Sequence, residues 1–125
     1  MKLLVGYDGS PFARHALDRV ISFAAAKPKV YVATAVERGP HTADLVSQKR
    51  LLEEAKALLL ERQIECETLE LVGDPADELI SAAKQIGADV ILVGTRGRSG
   101  AASLLLGSVS TKLAREAPCD VLIAR

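Results

Sequence analysis

The chain has 125 residues, 49% apolar and 26% charged, and its sixteen Lys plus Arg balance sixteen Asp plus Glu. A length of this order suits one domain spanning 1–125, able to remove roughly two-thirds of its extended-chain surface from water without staples. No apolar run nears the ~20 residues of a membrane span, no signal peptide opens the chain, and zero net charge argues against nucleic-acid or membrane-surface binding.

Lys2-Leu3-Leu4-Val5-Gly6-Tyr7 is a short apolar run, read as the first strand. Asp8-Gly9-Ser10-Pro11 follows as a turn and helix start, with Ser10 placed as N-cap and Pro11 at the first helical position. Ala13, Leu17, Val20 and Ala24 then recur at helical spacing until Lys27-Pro28. Val30-Tyr31-Val32-Ala33-Thr34-Ala35-Val36 reads as a buried second strand, followed by a polar connection over 37–42 containing Gly39-Pro40. A long helix is expected over about 43–62, with Leu45, Leu52, Ala55 and Leu59 on one face. Strand three occupies 67–72, and Gly73-Asp74-Pro75 repeats the cap-plus-proline start before a helix carrying Ala76, Leu79, Ile80 and Ala83. Gly87 ends that helix. Val90-Ile91-Leu92-Val93 shows no alternation, as expected of a strand covered on both faces. A glycine-rich stretch over 94–107 leads to a last helix ending at Pro118, and Val121-Leu122-Ile123-Ala124 is strand five.

Five strands alternating with four helices imply right-handed crossovers and a parallel sheet with helices on both faces, in the order 3-2-1-4-5. That order puts Cys66 and Cys119 on opposite edges, about 19 Å apart at ~4.8 Å per strand. A disulfide needs Cα atoms within ~7 Å, so both thiols are expected reduced, which suits the cytoplasm.

In such sheets ligands bind beyond the carboxyl ends of the strands, where the order reverses. The informative segment lies after strand four. Its glycines let the backbone approach a ligand closely, and Gly107-Ser108 opens a helix whose free N–H groups favour phosphate. Acids lie at the starts of the first and third helices (Asp8; Asp74, Asp77, Glu78). The last begins Ser108-Val109-Ser110-Thr111, with Arg96, Arg98 and Lys112 near in sequence. The pattern is neither G-x-G-x-x-G nor a P-loop. The alternative is that Gly-Ser simply caps a helix.

Gly94-x-x-Gly97, nine residues, then Gly107-Ser108 resembles the G-2x-G-9x-G-S/T signature of nucleotide-binding universal stress proteins. The resemblance runs along the whole chain, through Val5-Gly6-Tyr7-Asp8-Gly9-Ser10, Gly73-Asp74-Pro75, Ala88-Asp89-Val90-Ile91 and Ala117-Pro118-Cys119-Asp120-Val121-Leu122. It implies the adenine-nucleotide-hydrolase-like, Rossmann-like version of the fold and an ATP site with Mg²⁺ on the phosphates. In that site Asp8 matches the acid beside the adenosine and Val36 the position whose backbone reads the adenine edge. Gly94 and Gly97 match the glycines near the ribose and first phosphate. Gly107, Ser108 and Val109 match the positions holding the outer phosphates. Gly6 departs from the proline that some members carry, and the short connection after strand two leaves fewer side chains to cover the adenine.

Each candidate has a plainer alternative. Asp8 is either a ligand-facing acid or a cap for the Ser10 turn. Arg96 and Arg98 either meet phosphate or a partner, or stay solvated; Arg96 is counted among the candidate binding residues. His15 and His41 are isolated and are read as non-functional, and Leu104-Leu105-Leu106 as a buried plug or a partner contact. No nucleophile with an adjacent base appears, so efficient catalysis is not expected. The reading is an ATP-binding regulator that biases a conformation or a contact with an unidentified protein, with at most slow hydrolysis. Its rival is a partner-binding module of the same fold without nucleotide. Strand five is an apolar edge with no following residues to cover it. A homodimer paired through Val121-Leu122-Ile123-Ala124 is therefore expected, as the family resemblance also implies.

Overall fold

The structure, a computed structural model, describes residues 1–37, 42–97 and 106–125, apart from the side chains of residues 42 and 43. The expectations for Gly39-Pro40, His41, Arg98 and Leu104-Leu105 lie outside the described residues.

The first strand, β1 (Lys2–Gly6), has Leu3, Leu4 and Val5 fully buried, as a strand must when helices cover both sheet faces. It pairs in parallel with β2 (Lys29–Val36) on one side and β4 (Val90–Gly94) on the other. Beyond β2 lies β3 (Cys66–Val72), and beyond β4 lies β5 (Asp120–Ala124), which gives the expected order β3-β2-β1-β4-β5. Both cysteines are free, Cys66 opening the edge strand β3 and Cys119 just before the other edge strand, β5, and burial pushes each thiol up from its ordinary pKa.

Helix α1 (Pro11–Arg19) starts as expected, with Ser10 Oγ accepting from Ala13 N at 3.1 Å. It is shorter than its apolar spacing suggests. From Val20 to Ala26 the chain tightens into a 3-10 helix. The β-branched pair Val20-Ile21 and Ser22 weaken the α preference there. With three residues per turn, Phe23 follows Val20 onto the core while Ala24, expected inside, is exposed.

Helix α2 (Thr42–Leu60) buries Leu52, Ala55 and Leu59 as expected. One turn before Leu52 the buried residue is Gln48 at 2% exposure, whereas Leu45 is exposed. Helix α3 (Pro75–Ile86) has Asp74 accepting from Asp77 N at 3.0 Å and ends on Gly87 in the left-handed region, φ 71°. Helix α4 is Ser108–Glu116.

Two apolar layers sandwich the sheet. One joins α1 and α2 to Leu3, Val5, Val30, Val32 and Leu92; the other joins α3 and α4 to Leu4, Tyr31, Ala33, Ile91 and Val93. The first two helices therefore cover one face and the last two the other. The reversal falls between β1 and β4, which opens a crevice above their carboxyl ends.

Candidate functional site

That crevice has a volume of about 730 Å³, within the usual range for a small-molecule site. Its walls include Asp8 after β1, Ala35 and Val36 at the end of β2, and Gln48 on α2. Gly94, Arg96 and Gly97 after β4, and Gly107, Ser108 and Val109 at the start of α4, complete it. All eight residues singled out in the sequence thus line one space.

The signature glycines are there for packing reasons that spacing alone does not reveal. None of the three has a left-handed φ; among the described glycines that belongs to Gly9, Gly73 and Gly87. A Cβ on Gly94 would lie 2.6 Å from the Phe12 backbone carbon, so β4 and α1 approach too closely for any side chain. A Cβ on Gly97 would lie 2.8 Å from Asp8 Oδ2, and one on Gly107 would lie 3.2 Å from Arg96 Cα. Gly97 and Gly107 are therefore pressed against Asp8 and Arg96, two other candidates.

The loop between β4 and α4 is pinched at its base. The Thr95 carbonyl accepts from Gly107 N at 2.5 Å and from the buried Ser110 hydroxyl at 2.9 Å, and Thr95 N donates to Ala124 O at 2.8 Å. The buried Ser110 hydroxyl thus ties the first turn of α4 to the base of the loop. Gly107 has φ −77° and gives α4 no side-chain cap, and the first turn of α4 holds no acid. Its N-cap thus offers no side chain to the first N–H groups, while Ser10 and Asp74 cap α1 and α3.

Contacts with neighbouring side chains place the remaining charged and apolar candidates. Arg96 lies over the Phe12 ring, its guanidinium carbon 4.6 Å from the centroid, a cation–π contact at the crevice wall. Lys112 pairs with Asp77 at 2.5 Å, tying α4 to α3. Leu106, read in the sequence as part of a buried plug or a partner contact, is exposed. Asp8 does act as a cap, its Oδ1 accepting from Ser10 N at 2.9 Å, yet its carboxylate also borders the crevice beside Gly97.

Val36 lines the crevice, but its carbonyl accepts from Gly73 N at 2.7 Å beside β3. Ala33 O accepts from Tyr7 N on the β1 side at 2.9 Å. Because strand residues alternate sides, the N–H and C=O of Ala35 face the space beyond the end of β1. Val36 thus turns its backbone toward β3, and Ala35 is the neighbouring crevice residue whose amide pair faces the other way, a matter of strand parity counted from where β1 stops.

Beside this space Tyr7 donates its hydroxyl to Glu54 on α2, and Arg14 on α1 donates to the same carboxylate at 3.0 Å. Burial and Glu54 push the Tyr7 hydroxyl up to about 12, and hydrogen bonds from Tyr7 and Arg14 hold Glu54 below its ordinary range. The trio braces α1 and α2 against the centre of the sheet.

The model of the universal stress protein family matches residues 1–125. The universal stress protein YxiE of Bacillus subtilis strain 168 is 32% identical over 145 aligned residues, covering 99% of this chain and 98% of the relative. A universal stress protein from Archaeoglobus fulgidus superposes with a TM-score of 0.88 at 25% identity, covering 100% of this chain and 98% of that one. A universal stress protein solved in complex with cAMP superposes with a TM-score of 0.82 at 32% identity, covering 100% and 97%. Fold, crevice and these likenesses agree: the chain belongs to the universal stress protein family.

Proposed function

We propose that this protein binds an adenine nucleotide, ATP with Mg²⁺ on its phosphates, and acts as a stress-response regulator through the bound state. One observation carries the reading. The crevice gathers the signature glycines, Asp8, Arg96 and an α4 N-terminus free of acids into one space of nucleotide size. The 32% identical relative solved with cAMP supports the ligand class. In this reading the outer phosphates meet the N–H groups of Ser108 and Val109, Asp8 meets the ribose, and the amide pair of Ala35 reads the base. Among the described residues no group of three or more His, Cys, Asp or Glu stands together as a metal cage, so Mg²⁺ arrives coordinated by the phosphates.

Regulation rather than turnover is the reading, with the nucleotide held as a bound state and not as a substrate. Hydrolysis is then slow and incidental, and the bound nucleotide biases contact with a protein partner. The assembly is a homodimer paired through β5, whose Val121, Leu122 and Ile123 are half-buried at the sheet edge. It works in the cytoplasm, where its thiols stay reduced. Among the described residues no helix is long and apolar enough to cross a membrane. Mass spectrometry of ligand released from freshly purified protein tests the reading. Adenine nucleotide at near one per chain supports it; none released, with no thermal shift on adding MgATP, favours a partner-binding module.

A further inference from the structure

Among the described residues lining the crevice, the charged side chains are the carboxylates of Asp8, Glu37, Asp44 and Asp74 and a single cation, Arg96. A space lined by acids repels a phosphate chain unless its cation is held where the phosphates lie. Three elements meet around Arg96. It follows the end of β4 by two residues, and a Cβ on Gly107, at the start of α4, would lie 3.2 Å from its Cα. Its guanidinium carbon stands 4.6 Å from the centre of the Phe12 ring, on the first turn of α1. Phe12 is fixed in turn. Gly94 brings the end of β4 against it, since a Cβ there would lie 2.6 Å from both the backbone carbon and the Cβ of Phe12. His15, one turn on, meets the ring edge-on at 6.2 Å between centroids. Phe12 itself is half-buried and does not line the crevice.

A guanidinium over an aromatic face is held by the negative charge of that face, which restrains a long and flexible side chain. The group's N–H donors form a planar fork that suits the oxygens of a phosphate chain. We propose that Phe12 is a positioning residue: it holds the Arg96 charge at the crevice wall beside the start of α4, and so makes the site favour a nucleotide with a phosphate chain over the uncharged nucleoside. Phe12 touches no ligand and acts through Arg96. Without the ring, the guanidinium spends part of its time on the acids of the same crevice, and less of its charge meets the phosphates. The inference rests on the nucleotide reading above and names the pair that weighs the ligand's charge.

Calorimetric titration of wild type, Phe12→Leu, Phe12→Tyr and Arg96→Gln with MgATP and with adenosine, beside urea unfolding, tests it. Arg96→Gln should weaken ATP binding by about tenfold or more and leave adenosine binding unchanged. Phe12→Leu should weaken ATP binding about threefold, the scale of one cation–π contact, again without touching adenosine. Phe12→Tyr keeps the ring and should keep the wild-type affinities. In the Arg96→Gln background Phe12→Leu should change ATP binding no further, because the group it positions is gone. A folded Phe12→Leu that binds ATP like wild type, or that weakens ATP and adenosine alike, overturns this inference and leaves the nucleotide reading standing. Should Phe12→Leu not fold, Arg96→Gln decides: a loss confined to ATP supports the inference, and a wild-type ATP-to-adenosine ratio overturns it. A wild type that takes up neither ligand overturns both.

Discussion

Replacing Gly94 and Gly97 by alanine, one at a time, separates the packing part of the glycine signature from its binding part. At Gly94 the new Cβ would meet the Phe12 backbone carbon and Cβ at 2.6 Å and Ala13 N at 2.9 Å. Comfortable carbon contacts lie near 3.5–4.0 Å, so β4 and α1 would have to separate by about 1 Å. The first turn of α1 has little room to yield, being held by the Ser10 cap and the buried Ala13. Overpacking typically costs about 1–3 kcal/mol, and a clash with backbone belongs at the upper end, near 3 kcal/mol. For a chain of this size that lowers Tm by about 10 °C. Among the described residues, the Cβ at Gly97 would meet only the end of the Asp8 side chain, at 2.8 Å. A carboxylate can swing aside, so the stability cost should stay under about 1 kcal/mol while the displaced Asp8 weakens nucleotide binding. Urea unfolding followed by far-ultraviolet circular dichroism measures both. A Gly94→Ala protein as stable as wild type, or a Gly97→Ala protein equally damaged, would refute the reasoning.

Three further outcomes are expected. The raised pKa of Tyr7, about 12 against an ordinary 10, means that the unfolded chain ionises first, so stability present below pH 10 is lost as pH climbs toward 12. Two units correspond to about 2–3 kcal/mol, and Tyr7→Phe should abolish that alkaline loss in pH-dependent unfolding. Ser110→Ala removes the hydroxyl donated to Thr95 O, costing about 1–2 kcal/mol, and should speed hydrogen exchange at the Gly107 amide that shares this carbonyl. Ile123→Pro removes an amide from β5 and should convert a wild-type dimer to monomer or precipitate in sedimentation; a wild type already monomeric at micromolar concentration counts against the dimer.

The architecture was legible because its determinants are local. Ser10-Pro11 and Asp74-Pro75 start helices as their cap chemistry favours, and the unbroken apolar run Val90-Ile91-Leu92-Val93 suits a short doubly covered strand. Features that depend on neighbours were not legible. The 3-10 helix over Val20–Ala26 became visible only when Phe23, rather than Ala24, was found on the core. Gln48 reads as a polar interruption of an apolar stripe until the carbonyls of Thr34 and Leu71 are seen beneath its amide. Which candidates share the crevice was predictable from topology, since everything after a strand at the reversal point meets there. Which of them face inward was not. The Ser110 hydroxyl is taken by Thr95 O and the Lys112 ammonium by Asp77, and whether Ala35 or Val36 turns its backbone toward the β1 side depends on strand parity.

The central claim is that this crevice holds an adenine nucleotide, and titration of MgATP into the purified protein in a calorimeter tests it most directly. The account predicts saturable uptake of one nucleotide per chain. A flat titration with folded, nucleotide-free protein would contradict it.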